Sequence, residues 1–520
     1  DAHCVWAEDN RTVFYTLLEP DTYRPWQIRR HTVGTDPIRD PVVYEEPDPA
    51  FRCLLLASRS RRFILLNAYA NDAEEILYLD ASNPQDQFKV FCPRRQGHQY
   101  ELEDDGRRFI VRTNWQAPDF RLCEAEIRPH SSPEEWRELL PGQKGRLLEQ
   151  MAVFRNHIAL TGFQDGAQRL FILDRRDARL HTAPMPEPVC HVWLEENPTL
   201  DTDLVRVGFT SLRHQVTFFD YQMSDRRLAL VRREEPPGYQ PGNYVTERLW
   251  ARAPDGVRVP ISVVYHKDTP RRGPAPLLLF GYGEYGTNIP VYFDQSRLVL
   301  LDRGFIYGMA HVRGGSELGC HWHQAGKRMN KRQTFTDFIA CAEHLADCGL
   351  ARRDQLYAES LSAGGLLLGA VINMRPDLFH GVYACKPFVD PLTTMADPNL
   401  PLTSFEYDEW GHPEKPQEWE CLASYAPYDN IARQAYPHLL ITAARNDSQV
   451  PCWEPAKWAA RLRAHNTAAT DILLKTEMNA GHAGQSGRRE RLRELALLYT
   501  FLLSLAEATA DHPAECKTNF

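Results

Sequence analysis

The 520 residues are 43% apolar and 25% charged, the balance of a globular protein rather than a disordered or low-complexity chain. A net charge of -9 over that length leaves no basic stripe, which argues against a nucleic-acid partner. No apolar run approaches the ~20 residues of a spanning helix, so no membrane partner is expected either.

The length is too great for one ordinary core, and two domains are expected. The twelve cysteines are scattered without a CxxC pair, and they read as buried small hydrophobes in a reducing, cytoplasmic setting.

Residues 1–240 alternate short apolar segments with charged or Asx/Gly turns and show no long helical pattern. Five segments align: TVFYTLL at 12, RRFILLNA at 61, RRFIVRT at 107, NHIALTG at 156 and DLVRVGF at 203. With Phe14, Phe63, Phe109, Ile158 and Val207 taken as equivalent, the intervals are 49, 46, 49 and 49 residues. A second apolar strand follows in several units, as EILYLDAS, FRLCEAEI, RLFILDRR and VTFFDYQM. A period in the high forties built of short strands predicts a β-propeller with one four-stranded blade per repeat.

The rhythm changes after PPGYQPGN at 236, and residues 245–510 alternate buried strand runs with helical stretches. PLLLF at 276, GFIYGMAHV at 304, QLYAES at 355 and HLLITAA at 438 read as strands. TFTDFIACAEHLADCGL at 334 and LLLGAVINM at 366 read as helices. Strand–helix alternation predicts a doubly wound α/β domain with a mostly parallel sheet.

Strand QLYAES runs through Leu361-Ser362-Ala363-Gly364-Gly365 directly into a helix. That is the setting of a nucleophile elbow, where the turn is so tight that residues two before and two after the nucleophile must be small. Ser360 and Gly364 meet that demand. In α/β-hydrolases the triad runs Ser, Asp, His along the chain. Asp447 follows HLLITAA 85 residues after Ser362, and His482 lies 35 residues further on between glycines. The constellation predicts acyl transfer, with Ser362 as nucleophile, His482 as base and acid, Asp447 orienting the imidazole, and the Ala363 N–H as an oxyanion donor. HWH at 321–323 lacks an acidic or thiol partner at ligand spacing, and no metal or cofactor is expected. Lys457 and Arg488–Arg493 are taken as surface charge.

With these residues in place the chain resembles the prolyl oligopeptidase family, and within it the oligopeptidase B subfamily. The matching stretches are FGYGEYG at 280, SRLVLLDRGFIYGMAHVRGGSELG at 296, LSAGG at 361, PLTSFEYDEWGHP at 401, SYAPYDNI at 424, NDSQVPCWEPAKW at 446 and NAGHAGQSGR at 479, with WAEDNRTVFY at 6 and FCPRRQGHQYELE at 91 in the first half. The resemblance implies a propeller capping an α/β-hydrolase domain and a serine endopeptidase cutting short peptides after Arg or Lys. It implies that Tyr282 is the second oxyanion donor, that Glu406 pairs with a substrate Arg or Lys, and that Asp408 is a neighbouring acid. Gln449 stands where proline-specific members carry a substrate-binding arginine.

Against that pattern, Ser360 and Leu361 replace two glycines, and Ser316 replaces another. Pro290 and Tyr292 stand where two aspartates would favour a second basic residue, with Asp294 nearby. The resemblance also implies seven blades, so the chain is expected to begin inside the propeller. Two other readings stay open: an esterase or thioesterase like the prolyl endopeptidase-like proteins, and a propeller interaction protein with a vestigial hydrolase domain.

Overall fold

A computed structural model describes residues 3–270 and 275–511. The first half consists of five four-stranded antiparallel sheets in sequence order. The five aligned segments become Thr12–Leu18, Phe63–Tyr69, Phe109–Thr113, His157–Gln164 and Leu204–Thr210, each the second strand of its sheet. Glu74–Asp80, Arg121–Ala125, Ala167–Asp174 and Thr217–Gln222 are third strands.

The second strands of the three inner sheets are apolar on both faces because each of those sheets is packed between two neighbours. Along Phe109–Thr113, Phe109 and Val111 pack with Phe63, Leu65 and Tyr78 of the preceding sheet. Ile110, between them, packs with Leu147, Ile158 and Phe171 of the following one. Successive side chains of a strand point to opposite faces, so one strand serves two separate cores. Four such cores join the five sheets. This is the blade packing of a propeller.

The second half holds one eight-stranded sheet. Its strands are β1 (Tyr244–Arg252), β2 (Arg258–His266), β3 (Ala275–Gly281), β4 (Ile306–Ala310), β5 (Ala351–Leu361), β6 (Gly381–Cys385), β7 (His438–Ala444) and β8 (Ile472–Glu477). Their spatial order is β1-β2-β4-β3-β5-β6-β7-β8. β1, β2 and β4 pair antiparallel, and every pair from β4 to β8 is parallel. Helices α1 (Arg332–Asp347), α2 (Gly364–Met374), α3 (Thr403–Trp410), α4 (Trp453–His465) and α5 (Arg488–Asp511) accompany it. Phe335 and Phe338 of α1, Leu366 and Leu367 of α2 and Trp458 of α4 fill the core on one face. Leu498, Phe501 and Leu502 of α5 fill the other. No helix among the described residues is long and apolar enough to cross a membrane.

The propeller sits against the C-terminal edge of this sheet. Asn71 donates to the Phe405 carbonyl at 2.8 Å, Asp119 accepts from the Cys320 N–H at 2.7 Å, and Glu149 accepts from Asn288 at 2.8 Å. Three blades therefore hold three segments of the hydrolase half, one of them α3. The cysteines in the described residues are free thiols, five of them buried. Lys457 departs from the surface reading: its ammonium pairs with buried Asp390 and lies 4.1 Å from the Tyr428 ring centroid.

Candidate active site

β5 ends at Leu361, and α2 begins at Gly364. Between them Ser362 takes a φ of 53°, a left-handed conformation that costs a non-glycine residue roughly 1–3 kcal/mol. The turn is held from the next strand over. The Ser362 N–H donates to the Cys385 carbonyl at 2.9 Å, and the Ser362 carbonyl accepts from the Phe388 N–H at 2.9 Å. Ser360 fits without its glycine because its hydroxyl donates to the Gly281 carbonyl at 2.6 Å. The space it uses is left by Gly364, where a Cβ would lie 2.0 Å from Ser360 Oγ.

The strands β7 and β8 deliver the other two expected residues to the same point. His482 Nε2 stands 2.9 Å from Ser362 Oγ. Its Nδ1 stands 2.8 Å from Asp447 Oδ2 and 3.0 Å from Oδ1. Asp447 is almost fully buried, and burial pushes its carboxyl up. The His482 ring and the N–H groups of Gln449 and Val450 outweigh that and hold it below the ordinary carboxylate range. A carboxylate on Nδ1 places the proton there and leaves the Nε2 lone pair facing the hydroxyl.

Ser362 opens onto a cavity of about 240 Å³ that Tyr282, Ala363, Tyr285, Glu406 and the propeller's Asn71 also line. Burial raises the Tyr282 hydroxyl above its usual pKa, so it lines the cavity as a neutral hydroxyl. Glu406 lies in the wall with both oxygens engaged: Oε1 accepts from the Tyr285 hydroxyl at 2.9 Å, and Oε2 from the Trp410 Nε1–H at 2.8 Å. Burial pushes its carboxyl up to about 7, against the pull of these donors and of Arg52.

Two family models cover the two halves of the chain. The one described as prolyl oligopeptidase family matches residues 291–509. The one described as prolyl oligopeptidase, N-terminal beta-propeller domain matches residues 2–234. Dipeptidyl aminopeptidase BI of Pseudoxanthomonas mexicana is 36% identical over 97% of this chain and 69% of its own length. Protease 2 of Moraxella lacunata is 37% identical over 97% of this chain and 73% of its own. The structure of oligopeptidase B from Leishmania major aligns with a TM-score of 0.93 at 34% identity, covering 98% of this chain and 72% of that one. The chain belongs to the prolyl oligopeptidase family. It is a serine peptidase of that family, with oligopeptidase B among its homologues.

One expected site residue is not brought to the cavity. Asp408 turns away and pairs with Lys327 at 2.6 Å and with Arg328. It lies two positions beyond Glu406 on α3, about 200° round the helix, so the two cannot share a wall. Asp294 is also committed elsewhere, its Oδ1 accepting from the Ser296 N–H at 2.9 Å and the Ser296 hydroxyl at 2.7 Å. The Tyr292 ring stacks on the Arg297 guanidinium at 4.5 Å. Ser316 is buried and donates to the Gly286 carbonyl at 2.6 Å. Of the HWH pair, His323 meets Glu409 at 2.8 Å, and no group of three or more possible metal ligands forms among the described residues.

The sequence reading missed Tyr285, which lines the cavity, and Trp410 and Glu409, which hold Glu406 and the Tyr285 N–H from behind. All three lie inside stretches it had singled out, GYGEYG and EYDEW. What it lacked was the contact between those two stretches.

Proposed function

We propose that this peptidase cleaves short peptides on the carboxyl side of Arg or Lys, with Ser362, His482 and Asp447 as its catalytic triad. His482 Nε2 takes the Ser362 proton as the hydroxyl attacks the scissile carbonyl. The resulting imidazolium is stabilised by Asp447 and gives its proton to the leaving amine. The Ala363 N–H and the Tyr282 hydroxyl receive the oxyanion, and water then releases the acyl group by the same steps in reverse roles. The buried, free thiols suit a reducing cytoplasm.

The observation that carries the specificity is Glu406, a buried carboxylate in the same cavity as the nucleophile, with a neutral donor on each oxygen. Those donors leave each oxygen a second lone pair for an incoming guanidinium or ammonium. The oligopeptidase B homologues support the same reading.

The test pairs two variants. Ser362→Ala should lower turnover on the order of a million-fold and abolish labelling by a fluorophosphonate while the circular dichroism spectrum is unchanged. Glu406→Ala should lower kcat/KM on an Arg substrate by about 30- to 4000-fold, the equivalent of roughly 2–5 kcal/mol for truncating one side of a desolvated pair, and change an uncharged citrulline substrate far less. Equal losses on both substrates would make Glu406 structural.

A further inference from the structure

Tyr285 is one of the strained residues of the molecule, with a φ of 59°. Its neighbours Gly283 and Gly286 also have positive φ, at 81° and 66°, where glycine adopts that region without steric cost. A glycine at 285 would carry the same turn free of strain. The chain places a tyrosine there instead, and its hydroxyl reaches Glu406 across the cavity.

Glu409 braces that strained backbone at Tyr285 itself, with Ser316 on the Gly286 carbonyl and Lys331 on the Gly283 carbonyl to either side. The Tyr285 N–H donates to Glu409 Oε1 at 2.9 Å, and Glu409 Oε2 meets His323 Nε2 at 2.8 Å. Glu409 is 1% exposed. Burial pushes its carboxyl up, but His323 and Lys331 outweigh it and keep Glu409 below its ordinary range. A buried carboxylate held by a side-chain partner stabilises a fold no better than well-packed apolar residues do, so its presence calls for another reason. Gly286 completes the fit, since a Cβ there would lie 3.2 Å from the His323 ring.

We propose that Glu409, paired with His323, is a positioning residue for substrate recognition. By accepting the Tyr285 N–H it holds that backbone left-handed, and so aims the Tyr285 hydroxyl at Glu406. Glu406 is thereby fixed from two sides, by Tyr285 through Glu409 and by Trp410 on its own helix. The inference rests on Glu406 as the partner of a basic substrate side chain. The charged and titratable groups facing Glu406 are Glu409 on α3, Tyr282, Glu284 and Tyr285 on the loop after β3, and Arg52 from the propeller.

Kinetics on matched Arg and citrulline peptides test this. Glu409→Ala removes the acceptor and is expected to raise KM for the Arg peptide at least tenfold, with kcat and the citrulline peptide within threefold of wild type. Glu409→Gln keeps an acceptor for the Tyr285 N–H and is expected to restore KM to within threefold. Because Gln also removes a negative charge beside Glu406, the pH at which Arg preference is lost should move down; the split between KM and kcat and the rescue by Gln are what a merely structural role would not produce. Tyr285→Phe should reproduce the loss seen in Glu409→Ala, and the double variant should be no worse than either single one, because both act through one hydroxyl.

Equal impairment in Ala and Gln, equal loss on both peptides, or additive losses in the double variant would overturn the proposal. If Glu409→Ala does not fold, unchanged Arg preference in Tyr285→Phe would overturn it alone. Should Glu406→Ala lose Arg preference while Tyr285→Phe and Glu409→Ala keep it, only the positioning role fails. Should Glu406→Ala keep that preference, the specificity reading fails and the positioning role falls with it.

Discussion

The Ser360 hydroxyl donates to the Gly281 carbonyl at 2.6 Å, tying the strand that runs into Ser362 to the strand that leads into Tyr282. A glycine at 360 would leave that carbonyl without this donor. The serine thus occupies the elbow with a bond of its own, and it can do so because Gly364 opposite has no side chain.

That arrangement predicts a paired effect. In Gly364→Ala the new Cβ would lie 2.0 Å from Ser360 Oγ and 3.0 Å from Tyr282 Cδ2. Overpacking of this sort costs about 1–3 kcal/mol, and the shift falls on the nucleophile turn, so kcat should drop at least tenfold. Adding Ser360→Gly removes the nearer clash and should recover part of the loss. A double variant as poor as the single one would place the damage elsewhere.

Glu406 gives a pH signature. Its carboxyl is pushed up to about 7 by burial, and only the ionised form pairs with a substrate cation. As pH falls through about 7 the free enzyme loses that form, and kcat/KM on an Arg substrate should fall about tenfold per unit relative to a citrulline substrate. The ratio of Arg to citrulline kcat/KM should therefore be flat above pH 7 and decline below it. A ratio constant from pH 5.5 to 8 would remove Glu406 from recognition.

The second subsite should be indifferent to charge. Pro290 and Tyr292 bring no carboxylate, and Asp294 is engaged by Ser296. Arg-Arg peptides should be cleaved within tenfold of Phe-Arg or Gly-Arg peptides, tenfold being about 1.4 kcal/mol. A larger preference for Arg-Arg would show that some acid reaches that position.

Asp408 should act on stability alone. Asp408→Ala leaves Lys327, whose side chain is 8% exposed, without its carboxylate partner. An unpaired buried polar group costs roughly 1–3 kcal/mol, read as a lower midpoint in urea. The ratio of Arg to citrulline kcat/KM should stay within threefold, and a collapse of that ratio would return Asp408 to the site.

Much of the molecule was legible in the sequence because it is written locally. The repeat of apolar strands fixed the five sheets, since alternation within a strand and turn residues between strands need only neighbouring positions. The elbow could be read from Ser360 to Gly365, because steric crowding at a tight turn selects small residues within a few positions of the nucleophile. Asp447 and His482 were singled out by their order and by the strand and glycines beside them, and the fold brings both to Ser362. Resemblance, rather than local pattern, pointed to Tyr282 and Glu406.

Only the tertiary structure decided which of these groups meet. Tyr285 and Glu406 are 121 residues apart, and His323 and Glu409 are 86 apart; neither pair leaves a periodic or spacing signal. Helical phase put Glu406 and Asp408 on different faces, but which face looks into the cavity depended on how α3 docks. That docking is set from outside the helix, by the hydrolase core packed on Trp410, by Lys327 on Asp408, and by the propeller through the Asn71 bond to the Phe405 carbonyl and the Arg52 guanidinium 5.1 Å from the Phe405 ring. A contact made by another domain is invisible in the helix it orients, because the local chemistry is the same whichever face is buried.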